Sequence, residues 1–436
     1  MTTEPKIPSS TASQNGLRPS RWIQACRWLR YGLLATILVT GFYFRAANLD
    51  DVQQLEGDKG RDYMVVMDFA LQSHWPLLGP WRHVGDYAIG PGWYYTILPP
   101  LALTGFHPAA GAVFISVLAM LMIFLCWIWV RRQTGSELSA MVMAICLAFS
   151  AGWIVWDRML WNPNILPLST VALAFIIGMI PRRPIPGLAL YIMLAGILPQ
   201  WHTSGFLSIA ASLPVVAWVG GRALTVIRLN EVTAWLSWGA ATLLALGLLY
   251  GPPIRYELLP GTGNMEGYIK RSIGVPDHMK ITEESVQEKP SLISAYAGRS
   301  IWYFKELANR NFGWRLFLRP YFVYVLIGWS FLTMVLIILR LFQRRLDPSV
   351  VFLLFFVLGY WLVCAARSGD LQSYFLSPVY PAPLLLCAWS AGLMLSNPSK
   401  RLWVRVPCFL VSLGLLGSTC FLTAVQSGKA WRVHTG

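Results

Sequence analysis

The sequence predicts an all-α polytopic membrane protein, and three observations carry that prediction. Hydrophobic residues make up 56% of the 436-residue chain and charged residues only 13%, about half the share found in an average soluble domain. The mean hydropathy is +0.52. Apolar runs of roughly 20 residues, the length of a spanning helix, recur along nearly the whole chain. A bilayer accommodates that much apolar side chain, whereas the cores of two or three soluble domains would not.

These runs predict about eleven transmembrane helices inside a membrane domain at 28–424. We expect them at 28–47, 108–130, 138–156, 165–181, 186–203, 204–220, 233–250, 320–341, 349–366, 375–396 and 402–424. A shorter apolar stretch at 93–104 is interrupted by two prolines, so we expect it to be re-entrant or interfacial. The remaining parts are a cytoplasmic tail at 1–27 and a C-terminal tail at 425–436.

The basic residues predict how the helices are oriented. The net charge is +15, and much of it falls in short loops, where Lys and Arg mark the cytoplasmic side and meet anionic headgroups. These loops agree with the basic N-terminus, and they are Arg131-Arg132, Arg182-Arg183, Arg222 with Arg228, Arg340-Arg344-Arg345 and Lys400-Arg401-Arg405. The charge therefore indicates membrane lipids as partners and no nucleic acid. No signal-peptide cleavage site follows the first apolar run, so we expect an uncleaved anchor.

This orientation leaves two long segments on the external face, at 48–107 and 251–319. In a bacterium the protein would lie in the inner membrane, with its N-terminus in the cytoplasm and these segments in the periplasm. Within the first segment, Met64–Leu71 predicts a short amphipathic helix at the membrane interface.

Unusual polar residues collect at the external ends of the predicted helices. They come from at least five separate segments, and they are Arg45, Asp58, Arg61, Asp62, Asp86, Asp157, Arg158, Asn162, Asn164, Gln200, His202, Arg367, Asp370 and Tyr374. Few charges fall at the middle of a predicted helix, where a proton-coupled transporter needs them. The pattern indicates a site at the mouth of a helical bundle, reached by a molecule that resides in the membrane.

Asp58 and Asp62 are the candidate catalytic residues. Their spacing of four places both carboxylates on one face of a helix, where one of them could take a proton from an attacking hydroxyl. The alternative is structural, with Asp58 capping a helix and Asp62 pairing with a neighbouring arginine. Spacing alone leaves both readings open.

The other polar residues suit binding. Asp157 and Arg158 could bind a sugar or a phosphate, or form an ion pair, and Asn162 suits a helix cap ahead of Pro163. Gln200 and His202 flank a tryptophan, a combination that suits a sugar ring. A lipid phosphate needs cationic donors, and the candidates are Arg255, Lys270, Arg271 and Arg367.

Several chemistries have no support in the sequence. It contains no Walker motif, no GxGxxG, no HExxH and no GxSxG, so nucleotide-sugar, dinucleotide and protease chemistry are not indicated. The seven cysteines include no CxxC, so we expect neither a disulfide framework nor a metal site.

An ordered set of motifs carries a family resemblance over most of 28–385. After a first helix that ends in Phe44-Arg45, the motifs are Gly57-Asp58-x-Gly-Arg-Asp62, Pro76-Leu-Leu-Gly-Pro80, Gly90-Pro-Gly-Trp-Tyr-Tyr95, Arg158-x-x-Trp-Asn-Pro-Asn164, Gln200-x-His202, Tyr256-Glu-Leu-Leu with Gly263-Asn264, and Tyr374-Phe-Leu-x-Pro378. In these motifs the chain resembles the GT-C fold glycosyltransferases of the family 39 type. That group includes protein O-mannosyltransferases and the enzymes that put aminoarabinose on lipid A.

The resemblance implies a glycosyltransferase that takes a sugar from a polyprenyl-phosphate donor on the periplasmic face and passes it to a lipid, glycan or protein. The family's catalytic acid lies soon after the first helix, so Asp58 matches best by position and Asp62 second. The Asp-Glu pair of the mannosyltransferases is absent here, which leaves the choice between these two open. The donor's phosphate is already a good leaving group, so no cofactor is implied, and dependence on a divalent metal stays open.

Three other functions compete with this one. A lipid-linked sugar flippase or transporter would show internal repeats and polar residues at mid-helix, and neither is clear in the sequence. An O-antigen ligase or polymerase would place its key Arg and His in a late loop such as 251–319. The third rival is a membrane scaffold without enzymatic activity.

Overall fold

A computed structural model describes residues 21–52, 55–81, 87–225, 232–260, 262–266, 347–366 and 373–396. These residues form α-helices and two 3₁₀ segments, and their β-structure is limited to an isolated bridge between Trp81 and Ala88. The helices are α1 (Arg21–Ala46), α2 (Leu49–Val52), α3 (Gly57–Gln72), α4 (Gly92–Leu103), α5 (Ala110–Thr134), α6 (Glu137–Phe149), α7 (Ala151–Asp157), α8 (Leu166–Met179), α9 (Pro184–Trp201), α10 (Ser204–Leu224), α11 (Val232–Glu257), α12 (Pro348–Ala366) and α13 (Pro381–Ser396). The 3₁₀ segments are Asn162–Ile165 and Ser373–Val379.

Six helical segments of the described chain are long and apolar enough to cross a membrane. They are Ala110–Thr134, Asn162–Met179, Pro184–Trp201, Ser204–Leu224, Val232–Glu257 and Phe375–Leu393. Glu137–Phe149 and Pro348–Cys364 are apolar but shorter. The predicted spans at 320–341 and 402–424 lie outside the described residues, so the number eleven stays a prediction. The all-α membrane architecture is confirmed.

One predicted span, 138–156, is not a single helix. Helix α6 ends at Phe149, Ser150 is extended with φ −68° and ψ 119°, and α7 begins at Ala151. The break has a local reason, because Ser150 and Gly152 are weak helix formers. It also leaves the last carbonyls of α6 without intrahelical partners. The prediction of one continuous helix was therefore wrong.

Two elements that the sequence predicted within 48–107 are present as helices. The expected helix at Met64–Leu71 is part of α3, which begins earlier, at Gly57, and ends before Ser73 in the left-handed region at φ 59°. The short apolar stretch at 93–104 is α4, with 12 residues. Helices α3 and α4 pack against each other, so the Asp58 segment lies directly on the Gly92 segment.

Ion pairs at the ends of α1 define two ends of the helical bundle. Near its beginning, Arg30 contacts Glu137 at 3.5 Å, and Glu137 also pairs with Arg131 at 2.8 Å. Near its end, Arg45 pairs with Asp157 at 2.9 Å. We call these the Arg131 end and the Asp157 end. Because Arg30 and Arg45 lie on the same helix, the rise of 1.5 Å per residue between them places the two ends roughly 22 Å apart.

Candidate active site

Arg61 joins the two candidate carboxylates at the start of α3. Its Nη1 donates to Asp58 Oδ1 at 2.8 Å, while its Nε and Nη2 donate to Asp62 Oδ1 at 3.0 and 2.8 Å. The Asp58 side chain is 40% exposed and the Asp62 side chain only 2%. The predicted shared face is thus confirmed, and so is the pairing of Asp62 with a neighbouring arginine. Glu56, and not Asp58, holds the N-cap position of α3.

Asp62 is fixed by α4 as well as by Arg61. Trp93 Nε1 donates to Asp62 Oδ2 at 2.9 Å, and the Tyr94 hydroxyl donates to Oδ1 at 3.4 Å. Trp93 itself is fully buried. Burial raises the pKa of the Asp62 carboxyl from its ordinary 3.8 to about 6, against the opposing effect of Arg61 and of the Trp93 hydrogen bond. Its oxygens are occupied by protein donors, so Asp62 orients Arg61, whereas Asp58 faces solvent.

The Asp62 carboxyl should make stability depend on pH. Because its pKa is raised from 3.8 to about 6 in the folded protein, the folded state keeps a proton there that the unfolded state releases. Stability from this group is complete below about pH 4 and is lost as the pH rises through about 6. We expect the wild type to lose about 3 kcal/mol relative to Asp62→Asn across that window, in thermal unfolding in detergent.

The opposite slope, with the wild type gaining on Asp62→Asn as the pH rises, would contradict this reading. It would mean that Arg61 stabilises the charged carboxylate more than burial destabilises it.

Gln200 binds the turn that precedes α4. Its Oε1 accepts the Gly92 N–H at 3.0 Å, and its Nε2 donates to the Leu249 carbonyl at 2.8 Å. A Cβ at Gly90 would lie 2.6 Å from Gln200 Cδ, and one at Gly92 would lie 2.9 Å from Gln200 Cβ. The Gly90-Pro-Gly92 turn therefore needs its glycines to approach Gln200. Gln200 is only 2% exposed, so it supports the turn from the protein interior.

The segments around Trp201 extend the cluster. Trp201 Nε1 donates to Thr96 Oγ1 at 2.8 Å, and Asn162 Nδ2 donates to the Trp201 carbonyl at 2.9 Å. The Nδ1 atom of His202 accepts the Ser204 backbone N–H at 3.1 Å. Since an N–H only donates, the ring proton of neutral His202 lies on Nε2. A chain of contacts thus runs from α4 through the end of α9 to the 3₁₀ segment at Asn162.

Asn164 carries an unsatisfied buried atom. Its Nδ2 donates to the Trp156 and Met159 carbonyls at 2.7 and 3.2 Å, but its Oδ1 has no hydrogen-bond partner among the described residues. The hydroxyl oxygens of Thr203 and Ser377 are also buried without partners, in segments adjacent to this cluster. Such atoms are costly unless a ligand or water satisfies them.

Arg45 and Asp157 form part of the scaffold in this structure. Arg45 is fully buried, and its Nε donates to Asp157 Oδ2 at 2.9 Å. Its Nη1 donates to the Gly41 and Ala148 carbonyls at 3.0 and 2.6 Å, and its Nη2 donates to the Leu147 carbonyl at 3.0 Å. The guanidinium thereby caps the carbonyls that the break at Ser150 leaves open. Of the two sequence alternatives for Asp157, the ion pair is present, but with Arg45.

Arg158 also contacts the backbone. Its Nη1 donates to the Phe44 carbonyl at 2.9 Å and its Nη2 to the Asn48 carbonyl at 3.4 Å, and burial lowers the pKa of its guanidinium. These contacts tie the end of α1 and the chain that follows it to the end of α7.

The remaining candidates are only partly described. Arg255 is exposed in the last turn of α11, and Tyr374 lies in the 3₁₀ segment Ser373–Val379. The candidates outside the described residues are Asp86, Lys270, Arg271, Arg367 and Asp370. Within the described ranges, no group of three or more His, Cys, Asp or Glu side chains is placed to hold a metal ion.

Three contact residues were not assigned a role from the sequence. Trp93 and Tyr94 stand in a recognised motif, but their contact with Asp62 depends on how α3 and α4 pack. Asn264 hydrogen-bonds both backbone groups of Ala88, with its Oδ1 accepting the N–H at 2.6 Å and its Nδ2 donating to the carbonyl at 3.1 Å. This pair of bonds ties the chain around Ala88 to the residues that follow α11, and we call it the Ala88–Asn264 clamp.

Comparison with known proteins identifies the fold. No protein-family model and no curated protein matches the sequence. The oligosaccharyltransferase of Archaeoglobus fulgidus in complex with Zn and sulfate is similar at a TM-score of 0.56 and 12% identity, over 91% of this chain and 53% of that chain. The same organism's AglB oligosaccharyltransferase, solved with an inhibitory peptide and a dolichol-phosphate, is similar at a TM-score of 0.53 and 12% identity. The match covers 93% of this chain and 56% of that chain. ArnT from Cupriavidus metallidurans has a TM-score of 0.48 and 14% identity, over 92% of this chain and 75% of that chain.

These similarities confirm the GT-C fold that the sequence motifs predicted. The chain spans about half the length of the oligosaccharyltransferases that it matches. It is a membrane protein with the arrangement of helices found in those enzymes.

Proposed function

We propose that this chain is a membrane glycosyltransferase that moves a sugar from a polyprenyl-phosphate donor to an acceptor hydroxyl, with Asp58 as the general base. One observation carries the proposal. Asp58 and Asp62 lie on α3, the second helix after α1, and Arg61 bridges them, with the first carboxylate exposed and the second buried. A structural neighbour was solved with a dolichol-phosphate, which supports a lipid-phosphate donor for a chain of this fold.

The reaction balances without a cofactor. Asp58 accepts the proton of the acceptor hydroxyl as the acceptor oxygen forms a bond to the anomeric carbon. The bond between that carbon and the phosphate oxygen breaks, and polyprenyl phosphate leaves with the bonding electrons. Attack opposite to the leaving group inverts the anomeric configuration. Asp58 is the catalytic residue here, because it is the carboxylate that a substrate can reach.

Arg61 and Asp62 position that base. Arg61 holds Asp58 Oδ1 at 2.8 Å, and its own orientation is set by two bonds to Asp62. The Arg61 side chain is 29% exposed and can also approach the donor phosphate.

Sugar recognition is assigned to the cluster around Trp201. Asn164 Oδ1 is a buried acceptor without a partner, and a sugar hydroxyl would satisfy it. Gln200 and Asn162 hold the surrounding backbone, and His202 lies in the same cluster. The lipid phosphate would meet basic residues of the external segments, among which Arg255 is exposed.

The test is release of the lipid product. The full chain, reconstituted in vesicles, is given undecaprenyl-phosphate that carries labelled mannose or labelled aminoarabinose, with a membrane extract as acceptor. We expect free undecaprenyl phosphate to appear in proportion to labelled acceptor, measured by mass spectrometry of the lipid extract. Vesicles without the protein are the control.

The other functions predict different products. A flippase would move the intact donor across the bilayer without cleavage. A ligase or polymerase would release polyprenyl diphosphate from a diphosphate-linked donor. Either of these results, with no cleavage of the monophosphate donors, would overturn the proposal.

A further inference from the structure

A cavity of about 510 Å³ lies at the Arg131 end of the bundle, between α5, α8, α9 and the start of α12. Its polar lining consists of Arg132, Gln133, Arg182, Arg183, Asp347 and Ser349. Its volume is in the range of small-ligand sites in proteins, which span roughly 300–1,000 Å³. It is separate from the candidate active site, because α8 begins beside Asn164 and ends at this cavity, roughly 20 Å away.

We propose that this cavity binds the phosphate of an anionic lipid headgroup. The proposal is independent of the transferase activity, and it concerns the opposite end of the molecule.

Among the described residues, no carboxylate neutralises the arginines of the cavity. Arg131, their neighbour, pairs with Glu137 at 2.8 Å, whereas no described carboxylate lies within ion-pair distance of Arg132, Arg182 or Arg183. Three cations therefore face a space that holds one carboxylate, Asp347. An anion in the cavity would balance them, and each guanidinium offers a planar pair of N–H donors to phosphate oxygens.

The single carboxylate already has a structural task. Asp347 Oδ1 accepts the Ser349 N–H at 2.9 Å and the Ser349 hydroxyl at 2.6 Å, which holds the start of α12. Ser349 Oγ in turn accepts hydrogen bonds from Trp129 Nε1 at 3.0 Å and Gln133 Nε2 at 3.3 Å. Asp347 Oδ1 is thus engaged at the start of α12, where it holds Ser349.

Arg132 is also held in place. Its guanidinium carbon lies 6.0 Å from the centre of the Phe175 ring, a cation–π distance. Positive charge at the cytoplasmic ends of helices would explain the presence of arginines, but it would not explain a preformed cavity. Arginine-lined spaces between spanning helices suit lipid headgroups, and the apolar wall formed by Phe175, Met179 and Leu190 suits the adjoining glycerol and first methylenes.

The test is lipid retention by the purified full chain in native mass spectrometry, with phosphatidylglycerol, cardiolipin and phosphatidylcholine as probes. We expect the two anionic lipids to be retained at least tenfold better than phosphatidylcholine. Replacing Arg132, Arg182 and Arg183 together by glutamine should lower that retention at least tenfold. Arg132→Gln and Arg183→Gln singly should lower it severalfold, so the test stands if the triple variant does not fold.

Arg222→Gln is the matched control. Arg222 is an exposed arginine at the end of α10, placed over the Trp218 ring and outside the cavity. Retention that falls as much in this variant as in the cavity variants would overturn the proposal, because the lipids would then respond to net charge alone. Equal retention of the three lipids, together with binding of inorganic phosphate by the wild type and not by the triple variant, would also overturn it, since the site would then bind free phosphate and not a headgroup.

Discussion

Asp58→Asn is expected to slow sugar transfer by about 10²- to 10⁴-fold, the usual contribution of a general base. Asparagine keeps the size of the side chain and an oxygen for Arg61, but it cannot accept the acceptor's proton. The Arg61–Asp62 pair and its bonds to Trp93 stay in place, so folding should be unaffected. The measurement is the initial rate of undecaprenyl-phosphate release, with thermal unfolding in detergent as a check on folding.

Asp68→Asn is the matched control. Asp68 lies on the same helix, its side chain is 45% exposed, and it contacts His74 at 3.2 Å and not Arg61. Its replacement should leave transfer unchanged. If Asp58→Asn turned over donor at the wild-type rate while Asp62→Asn did not, the assignment of base and positioning residue would be reversed. Transfer at the wild-type rate in both variants would remove this pair from the mechanism.

Arg45→Met is expected to lower the free energy of unfolding by about 3–5 kcal/mol, the cost of leaving one member of a buried ion pair without its partner. The substitution leaves Asp157 buried at 2% exposure and removes the donors from the carbonyls of Gly41, Leu147 and Ala148. Methionine fills a similar volume, so the loss reflects charge and hydrogen bonding more than packing. Thermal unfolding of the detergent-solubilised protein measures it.

Two further variants separate the causes. Arg30→Met breaks an ion pair on the same helix whose arginine is 40% exposed, and it should cost less than about 1 kcal/mol. Arg45→Met combined with Asp157→Leu removes both buried charges and should recover part of the loss. A double variant no more stable than Arg45→Met would mean that the carbonyl bonds carry the cost. An Arg45→Met cost as small as that of Arg30→Met would contradict the prediction.

Much of the site's framework was predictable because it rests on local patterns. Apolar runs of bilayer length predicted the helical bundle, and the spacing of Asp58 and Asp62 predicted a shared face. The same local information could not distinguish Arg45 from a binding residue. A charge at the end of an apolar helix looks interfacial in sequence, and only the break at Ser150 shows that open carbonyls and Asp157 surround it.

Contacts between distant segments lay beyond the sequence patterns. Trp93 reaches Asp62 because α3 and α4 pack together, and Gln200 reaches Gly92 across 108 residues. Neither contact follows a helical or strand period, so no periodicity indicates it. The arginine cavity is a similar case, since basic residues in short loops are explained by topology until the structure places three of them around one space.

The Ala88–Asn264 clamp also sets an order of events during synthesis of the chain. Its two residues are 176 positions apart. At about 5–20 residues per second, Asn264 is made roughly 9–35 s after Ala88. Ala88 can therefore form this contact only after the ribosome has produced the helices that separate the two residues. A truncated chain that ends before Asn264 would insert its early helices but would lack the Ala88–Asn264 clamp next to the Gly90-Pro-Gly92 turn.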